Sequence, residues 1–298
     1  MAAANPILGV VPTPPSFELP RGACDCHTHV FGPAGKFPFS GKRLYTPGDA
    51  SIEDLQALHR ALHLDRVVIV HPSPYGADNS CTVDAVRKLG ERARGVAVID
   101  DKTSDRELAD MHAAGIRGVR VNLETYGESD PAIAGRHLQQ AAARVAPLGW
   151  HVQTYTNLAI LSALHDTILS LPTTLVVDHF GRPQAALGIA QPGFAQLLAL
   201  LRSGNVYVKI SAPYRISLAP HYPDAAPIAR AMIDANPDRV VWGSDWPHPG
   251  AAKRDPAVIE PFRPEDNGEA LNRLAGWTKN RGELQKILVD NPVRLYQF

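Results

Sequence analysis

Cysteine is scarce in this chain of 298 residues. Its three cysteines, Cys24, Cys26 and Cys81, are odd in number, and the first two stand too close together for an ordinary bridge. No disulfide framework is therefore expected, which is typical of a reduced, cytoplasmic protein.

Net charge, long apolar runs and a signal sequence are also lacking. Lys plus Arg and Asp plus Glu number 30 each, so the formal net charge is zero, which argues against nucleic acid or an anionic membrane as partner. No apolar segment reaches the ~18 residues of a membrane helix. The first 22 residues are rich in proline and have no basic region followed by an apolar core, so we predict an N-terminal arm.

The remaining composition is that of an ordinary globular protein, with 45% hydrophobic and 20% charged residues. We find no linker, repeat or charge block after the arm, so residues 23–298 are predicted to form one domain. Eight short Val- and Ile-rich segments alternate with amphipathic helical patterns. These predicted strands cover residues 23–29, 66–71, 95–100, 117–122, 150–155, 174–179, 205–211 and 239–245.

Alternation of buried parallel strands with helices favours a (β/α)₈ TIM barrel of the α/β class. An open doubly wound sheet is the alternative, but such folds usually carry a glycine-rich phosphate loop after the first strand, and none is present. The two longest irregular segments, 31–50 and 246–266, follow strands. We therefore expect both over the C-terminal face of the barrel, where barrel enzymes carry their sites.

The first strand ends in two histidines, His27 and His29, spaced so that both side chains point to one side. A single buried histidine is often a satisfied core residue, but two imidazoles on one strand each need their own partners. The pair therefore indicates a metal site or an acid–base and electrophile pair.

Other strand ends supply further polar groups. His179 ends strand 6, and Asp245 ends strand 8, where it is a candidate general base, a helix N-cap or a loop residue. His248 is either a ligand at the rim or a loop residue. Ser73 after strand 2 and Tyr155 at the end of strand 5 are candidate hydrogen-bond donors to a substrate, with a structural role as the alternative.

Three arginines stand near strand ends: Arg120, Arg182 and Arg215. Each taken alone is most simply a surface ion pair, which contributes about 0–1 kcal/mol. Three of them near one face favour a convergent clamp, because the guanidinium fork binds carboxylates in a bidentate manner. A small anionic substrate is therefore expected.

Combined motifs give the chain a specific resemblance. The segments "DCHTHVFGP" (25–33), "DHFGRP" (178–183) and "VVWGSDWPHP" (240–249) resemble the amidohydrolase superfamily, and within it the branch that contains 2-pyrone-4,6-dicarboxylate lactonases. The resemblance implies a barrel hydrolase acting on small, often acidic lactones, with a base that activates water. It implies that Asp245 is this base, that His27, His29 and His179 surround the scissile carbonyl, and that Ser73, Arg120, Tyr155, Arg182 and Arg215 contact the substrate.

The loop after strand 4 departs from this pattern. Pyrone dicarboxylate lactonases carry a further arginine there, whereas this chain reads "NLETYGESD" (122–130), with Glu124 and Tyr126. The resemblance therefore leaves the substrate open among pyrone dicarboxylates, substituted muconolactones and sugar-acid lactones.

The residues at the same strand ends indicate whether the reaction depends on a bound metal ion. Strand 4 offers Arg120 and Asn122 in place of the lysine or glutamate of zinc-dependent relatives, and His151 lies at the opposite end of strand 5. We expect a reaction without a cofactor, with zinc on His27, His29 and Asp245 as the alternative. A zinc-dependent amidohydrolase or decarboxylase, and a non-catalytic barrel that binds small anions, are the rival functions.

Overall fold

The computed structural model describes residues 6–250 and 254–298. Residues 1–5 of the predicted arm and 251–253 of the second long loop lie outside the described residues. The chain forms two compact units, one made of Met1–Ile116 and Ser244–Gly276, the other of Arg117–Gly243 and Trp277–Phe298. The single-domain assignment of residues 23–298 stays a prediction.

The first unit contains three parallel strands that pair in chain order, and their interiors are buried. Two of its helices begin, and one of these also ends, at residues that carry capping signals. Ser51 and Ser104 each form a capping box, and Gly115 ends its helix with a φ of 105°. The elements are β1 (Cys24–Thr28), α1 (Ile52–Leu62), β2 (Arg66–Val70), α2 (Ser80–Leu89), β3 (Ala93–Ala97) and α3 (Asp105–Ala114).

The second unit contains five parallel strands, again paired in chain order. The segment 158–171 has one continuous helical pattern in the sequence, but the helix is interrupted at Leu164, so the segment forms two shorter helices. The elements are β4 (Ile116–Asn122), α4 (Pro131–Val145), β5 (His151–Tyr155), α5 (Leu158–Ala163), α6 (His165–Leu169), β6 (Leu175–Val177), α7 (Phe194–Arg202), β7 (Val206–Ser211), α8 (Ala225–Ala235) and β8 (Val240–Gly243).

The C-terminal helices are α9 (Asn267–Trp277), α10 (Arg281–Gln285) and α11 (Asn291–Tyr296). All eight predicted strands are present, and most end earlier than predicted. Among the described residues, no helix has both the length and the apolar character that a membrane crossing requires.

The two long loops of the first unit contact each other. Thr46–Pro47 pairs in parallel with Ile259–Glu260, and Thr46 Oγ1 donates to the Pro256 carbonyl at 2.6 Å. Phe31, just after β1, stacks on Phe262 with 5.8 Å between ring centroids. The loops that follow β1 and β8 therefore support one another.

The described part of the N-terminal arm is anchored on α9. The backbone N and Oγ1 of Thr13 both donate to the Asp266 carboxylate, and the backbone N of Ser16 donates to Asn272. The contact is close, because a Cβ on Gly268 would lie 1.7 Å from the Thr13 carbonyl oxygen. Glycine at this position is therefore required by the path of the arm.

Candidate active site

Two imidazoles and one carboxylate converge in the first unit. His27 Nε2 and His29 Nε2 each lie 3.4 Å from Asp245 Oδ1, and all three side chains are buried. The rings of His27 and His29 meet edge to face at 5.0 Å. The prediction that both histidines face one site is consistent with this arrangement, although β1 carries an irregular register between Asp25 and Thr28.

The hydrogen bond of His29 fixes which ring nitrogen carries a proton. Nδ1 lies 2.8 Å from the carbonyl oxygen of Val70, which can only accept, so Nδ1 is the donor. In a neutral ring, the bare lone pair of Nε2 would then face the Asp245 carboxylate. Two acceptors at this distance repel each other, so the arrangement favours a positive charge between them, either a proton on Nε2 or a metal ion.

Asp25 holds the backbone on both sides of this group, a role that sequence reasoning missed. Its Oδ1 accepts from the backbone N of His27 at 3.2 Å and of Ser244 at 2.8 Å, and His59 Nε2 lies 3.5 Å from its Oδ2. The backbone N of Asp245 donates to the His27 carbonyl at 2.8 Å. The fully buried Asp25 carboxylate therefore ties β1 to the segment that presents Asp245.

The turn after β8 has an unusual backbone. Asp245 has φ 66° and His248 has φ 68°, in the left-handed region that costs a residue with a side chain on the order of 1–3 kcal/mol. The backbone N of His248 donates to the Asp245 carbonyl at 2.7 Å. His248 is therefore a buried member of the turn that presents Asp245. Ser73, also in this unit, begins the short turn Ser73–Tyr75 after β2.

In the second unit, three arginines surround Tyr155. The guanidinium carbons of Arg120, Arg182 and Arg215 each lie 5.6 Å from the centroid of its ring, within the range of a cation–π contact. Arg182 Nη1 donates to the Tyr155 hydroxyl at 2.7 Å, and Arg215 Nη1 donates to it at 3.4 Å. The two bonds use both lone pairs of that oxygen, so the hydroxyl proton of Tyr155 is directed elsewhere as a donor.

Arg120 is oriented by a buried polar network that the sequence did not reveal. Its Nη2 lies 3.4 Å from Asp178 Oδ2, while Lys209 Nζ lies 3.6 Å from Asp178 Oδ1. Gln153 joins the pair, because it donates to Asp178 at 3.0 Å and accepts from Lys209 at 2.7 Å. Val- and Ile-rich runs mark β5, β6 and β7 as buried strands, but they do not show that the polar residues of these strands meet.

His179 follows this network directly and lies beside Tyr155. Its Nδ1 contacts Ser211 Oγ at 2.8 Å, and its ring meets the Tyr155 ring edge to face at 5.1 Å. It has φ 48°, and Phe180 and Arg182 are also in the left-handed region. The strand ends at Val177, two residues before the histidine. Strain in this turn thus presents both His179 and Arg182, as strain often does at functional sites.

The group in the first unit fits a zinc ion chemically. His27, His29 and Asp245 offer two imidazole nitrogens and a carboxylate oxygen, a donor set known from catalytic zinc sites. The two distances from the imidazole nitrogens to Asp245 Oδ1, 3.4 Å each, are close to the ~3.3 Å between two ligands of a tetrahedral zinc with bonds near 2.0 Å. The contact of His29 with the Val70 carbonyl is the kind of outer hydrogen bond that orients a metal-binding imidazole.

Comparisons with known proteins show which family the chain belongs to. A family model described as Amidohydrolase matches residues 24–298. The 2-pyrone-4,6-dicarboxylate hydrolase of Comamonas testosteroni is 41% identical, with 96% of this chain and 93% of the relative covered. The 4-sulfomuconolactone hydrolase of Rhizobium radiobacter is 37% identical, with 95% of this chain and 92% of the relative covered.

A solved structure shows the same fold. The crystal structure of a probable 2-pyrone-4,6-dicarboxylic acid hydrolase from Acinetobacter baumannii, with citric acid bound, has a TM-score of 0.78 and 26% identity. The match covers 93% of this chain and 100% of the Acinetobacter chain. The chain therefore belongs to the amidohydrolase family, and it is a hydrolase with the (β/α)₈ barrel fold that its sequence predicts.

Proposed function

We propose that this protein opens a small acidic lactone by hydrolysis. The observation that carries the proposal is the cluster in which Arg120, Arg182 and Arg215 surround Tyr155. Such a cluster is a binding site for carboxylate oxygens, because arginine forks and a phenolic proton all donate. The named relatives hydrolyse acidic lactones, and the Acinetobacter structure holds citric acid, which is rich in carboxylates.

In the proposed reaction, binding precedes chemistry. A carboxylate of the substrate docks on the arginines and on the Tyr155 hydroxyl, and Ser73 donates a further hydrogen bond. Docking holds the ring carbonyl still, which removes much of the entropic cost of the attack by water. The strand ends of a (β/α)₈ barrel share one face, which is why residues following β1, β6 and β8 are assigned to one reaction.

The chemical step consumes one water molecule. Asp245 takes a proton from water, the water oxygen forms a bond to the lactone carbonyl carbon, and the carbonyl becomes an oxyanion. The imidazoles of His27, His29 and His179 stabilise that oxyanion. When the intermediate collapses, the bond from the carbonyl carbon to the ring oxygen breaks, and the ring oxygen receives the proton held by Asp245. The product is an open-chain acid with one new carboxyl group.

In the metal-free version of the reaction, the place between His29 Nε2 and Asp245 Oδ1 would hold a proton, and the imidazoles would act on the carbonyl without a Lewis acid. A zinc ion held by His27, His29 and Asp245 would instead act as a Lewis acid on the carbonyl and lower the pKa of water. The two versions share the same substrate and the same products, so a metal assay separates them.

The test is ring opening of 2-pyrone-4,6-dicarboxylate by chelator-treated enzyme, followed as loss of the pyrone absorbance, alongside a muconolactone and a sugar-acid lactone. Turnover of at least one lactone at an unchanged rate after metal removal supports both parts of the proposal. Loss of turnover that zinc restores would replace the metal-free version. A folded enzyme that opens none of the three lactones, with or without zinc, would overturn the lactonase proposal.

A further inference from the structure

The loop after β4 carries an acidic side chain into the arginine cluster. Glu124 Oε1 lies 3.4 Å from Arg182 Nη1, and Glu124 Oε2 accepts from Asn157 Nδ2 at 3.3 Å. The same Nη1 atom donates to the Tyr155 hydroxyl at 2.7 Å. One nitrogen of Arg182 is thus shared between the tyrosine and a carboxylate of the protein itself.

Glu124 is held in place by the backbone and is not a loose surface residue. The backbone N atoms of Leu123 and Glu124 both donate to the Tyr155 carbonyl, at 3.1 and 3.0 Å. The backbone N of Thr125 donates to the Asn122 side chain at 3.0 Å. The Glu124 side chain is 24% exposed and that of Arg182 is 31% exposed. Both groups therefore stay accessible to a bound molecule while their positions are fixed.

The Glu124 carboxylate lowers the net positive charge of the arginine cluster. Asp178 lies between Arg120 and Lys209 and offsets one of their two positive charges. Glu124 offsets the charge of Arg182, so Arg182 attracts a further carboxylate less strongly than it would without this pair. A substrate carboxylate placed at Arg182 would meet the Glu124 carboxylate within a few ångströms, and like charges at this range repel. A hydroxyl group there meets no repulsion, because it donates to Glu124 and accepts from Arg182.

We propose that Glu124 determines the substrate class, and that the substrate is a lactone with one carboxylate and a hydroxyl group placed at Arg182. This inference rests on the proposed lactonase function and makes it narrower. The carboxylate binds Arg120, Arg215 and the Tyr155 hydroxyl, and the hydroxyl bridges Glu124 and Arg182. A ring with a second carboxylate in place of the hydroxyl is a poor substrate, since a site built to pair with a hydroxyl leaves its polar groups unmatched.

The experiment compares kcat/KM for a hydroxylated monocarboxylate sugar-acid lactone, such as D-galactarolactone, and for 2-pyrone-4,6-dicarboxylate. Three forms are measured: the wild-type enzyme, Glu124→Gln and Glu128→Gln. Glu128 is the matched control, because it lies in the same loop and its carboxylate accepts from the backbone N of Asp130. We expect the wild-type enzyme to prefer the sugar-acid lactone. Glu124→Gln should shift the preference toward the dicarboxylate about 10- to 100-fold, and Glu128→Gln should leave it unchanged.

A purely structural role for Glu124, which would only orient Arg182, predicts a different result. Glu124→Gln would then raise KM for both substrates by the same factor, and the unchanged ratio would overturn the inference. A wild-type preference for the dicarboxylate would overturn it as well, while leaving the lactonase proposal intact. Absence of turnover with either lactone is the result that counts against the proposed function itself.

Discussion

His29 Nε2 lies 3.4 Å from Asp245 Oδ1, while the opposite nitrogen of the same ring donates to the Val70 carbonyl at 2.8 Å. The Val70 carbonyl fixes a proton on Nδ1 of His29. The other ring nitrogen, Nε2, faces Asp245 and can bind either a second proton or a metal ion. His29 follows β1 and Asp245 follows β8, so the loops after these two strands meet at this contact. It also makes Asp245 the first residue to test.

Asp245→Asn should keep the fold and lower kcat about 10³-fold. Asparagine tolerates the left-handed backbone of Asp245, which has φ 66°, better than most residues, but its amide cannot take a proton from water. Steady-state kinetics and circular dichroism are the measurements. The control is Asp166→Asn, whose side chain is fully exposed. A kcat within a factor of ten of the wild type would remove Asp245 from the role of base.

Arg182→Met should raise KM about 10- to 100-fold with a smaller effect on kcat. The guanidinium group contacts Tyr155 and Glu124, and its proposed role is binding, which is nearly equal in the ground state and the transition state. Arg202→Met, at the exposed end of α7, is the matched control. If Arg182→Met instead lowers kcat and leaves KM unchanged, the arginine acts in the transition state.

Asp178→Asn should lower the free energy of unfolding by about 3–5 kcal/mol, because it leaves Lys209 and Arg120 buried without their carboxylate. The double variant Asp178→Asn, Lys209→Met should recover part of this loss. Urea unfolding of both single variants and the double variant gives the coupling energy. Additive losses would show that the two side chains do not interact.

Stability should fall in acid because of His151, at the start of β5. Burial, and then the charge of Lys209, lower its pKa from 6.5 to about 3. Between these two values the unfolded chain binds a proton that the folded chain does not, so the free energy of unfolding decreases as the pH falls. For one such group, the free energy of unfolding changes by at most about 1.4 kcal/mol per pH unit.

Urea unfolding at pH 7.5 and 5.5 measures this effect in the wild-type protein and in His151→Asn. The variant should lose less stability between the two pH values than the wild type does, whatever its stability at pH 7.5. The exposed His137→Asn is the control and should keep the wild-type slope. Equal slopes in all three proteins would contradict the assignment.

Gly268→Ala should loosen the N-terminal arm, since the added Cβ would lie 1.7 Å from the Thr13 carbonyl oxygen. We expect a loss of about 1–3 kcal/mol in stability and faster proteolysis within residues 6–22. Gly276→Ala, in the same helix with open space around it, should be neutral or slightly stabilising. Equal proteolysis of the two variants would show that the arm does not depend on this contact.

The sequence by itself determined the strands, the helix ends and most of the side chains assigned to the site. Apolar runs separated by capping signals mark buried strands and helices, because burial and backbone hydrogen bonding act locally and leave a periodic trace. The pair His27 and His29 was visible for the same reason. The positions of Asp245, His179 and Tyr155 followed from the rule that barrel sites lie at the C-terminal ends of strands.

Only the tertiary structure decided how these side chains are held. Asp25 bonds to the backbone of Ser244, 219 residues away, and Lys209 meets Gln153 and Asp178 inside the sheet. The left-handed backbone of His179 and Asp245 likewise leaves no trace in residue type. In the sequence, the loop that contains Glu124 differs from the related lactonases by lacking an arginine. Only the tertiary structure shows that Glu124 forms an ion pair with Arg182. Such contacts join residues distant in the chain, and local patterning carries no information about which distant partner a buried charge will find.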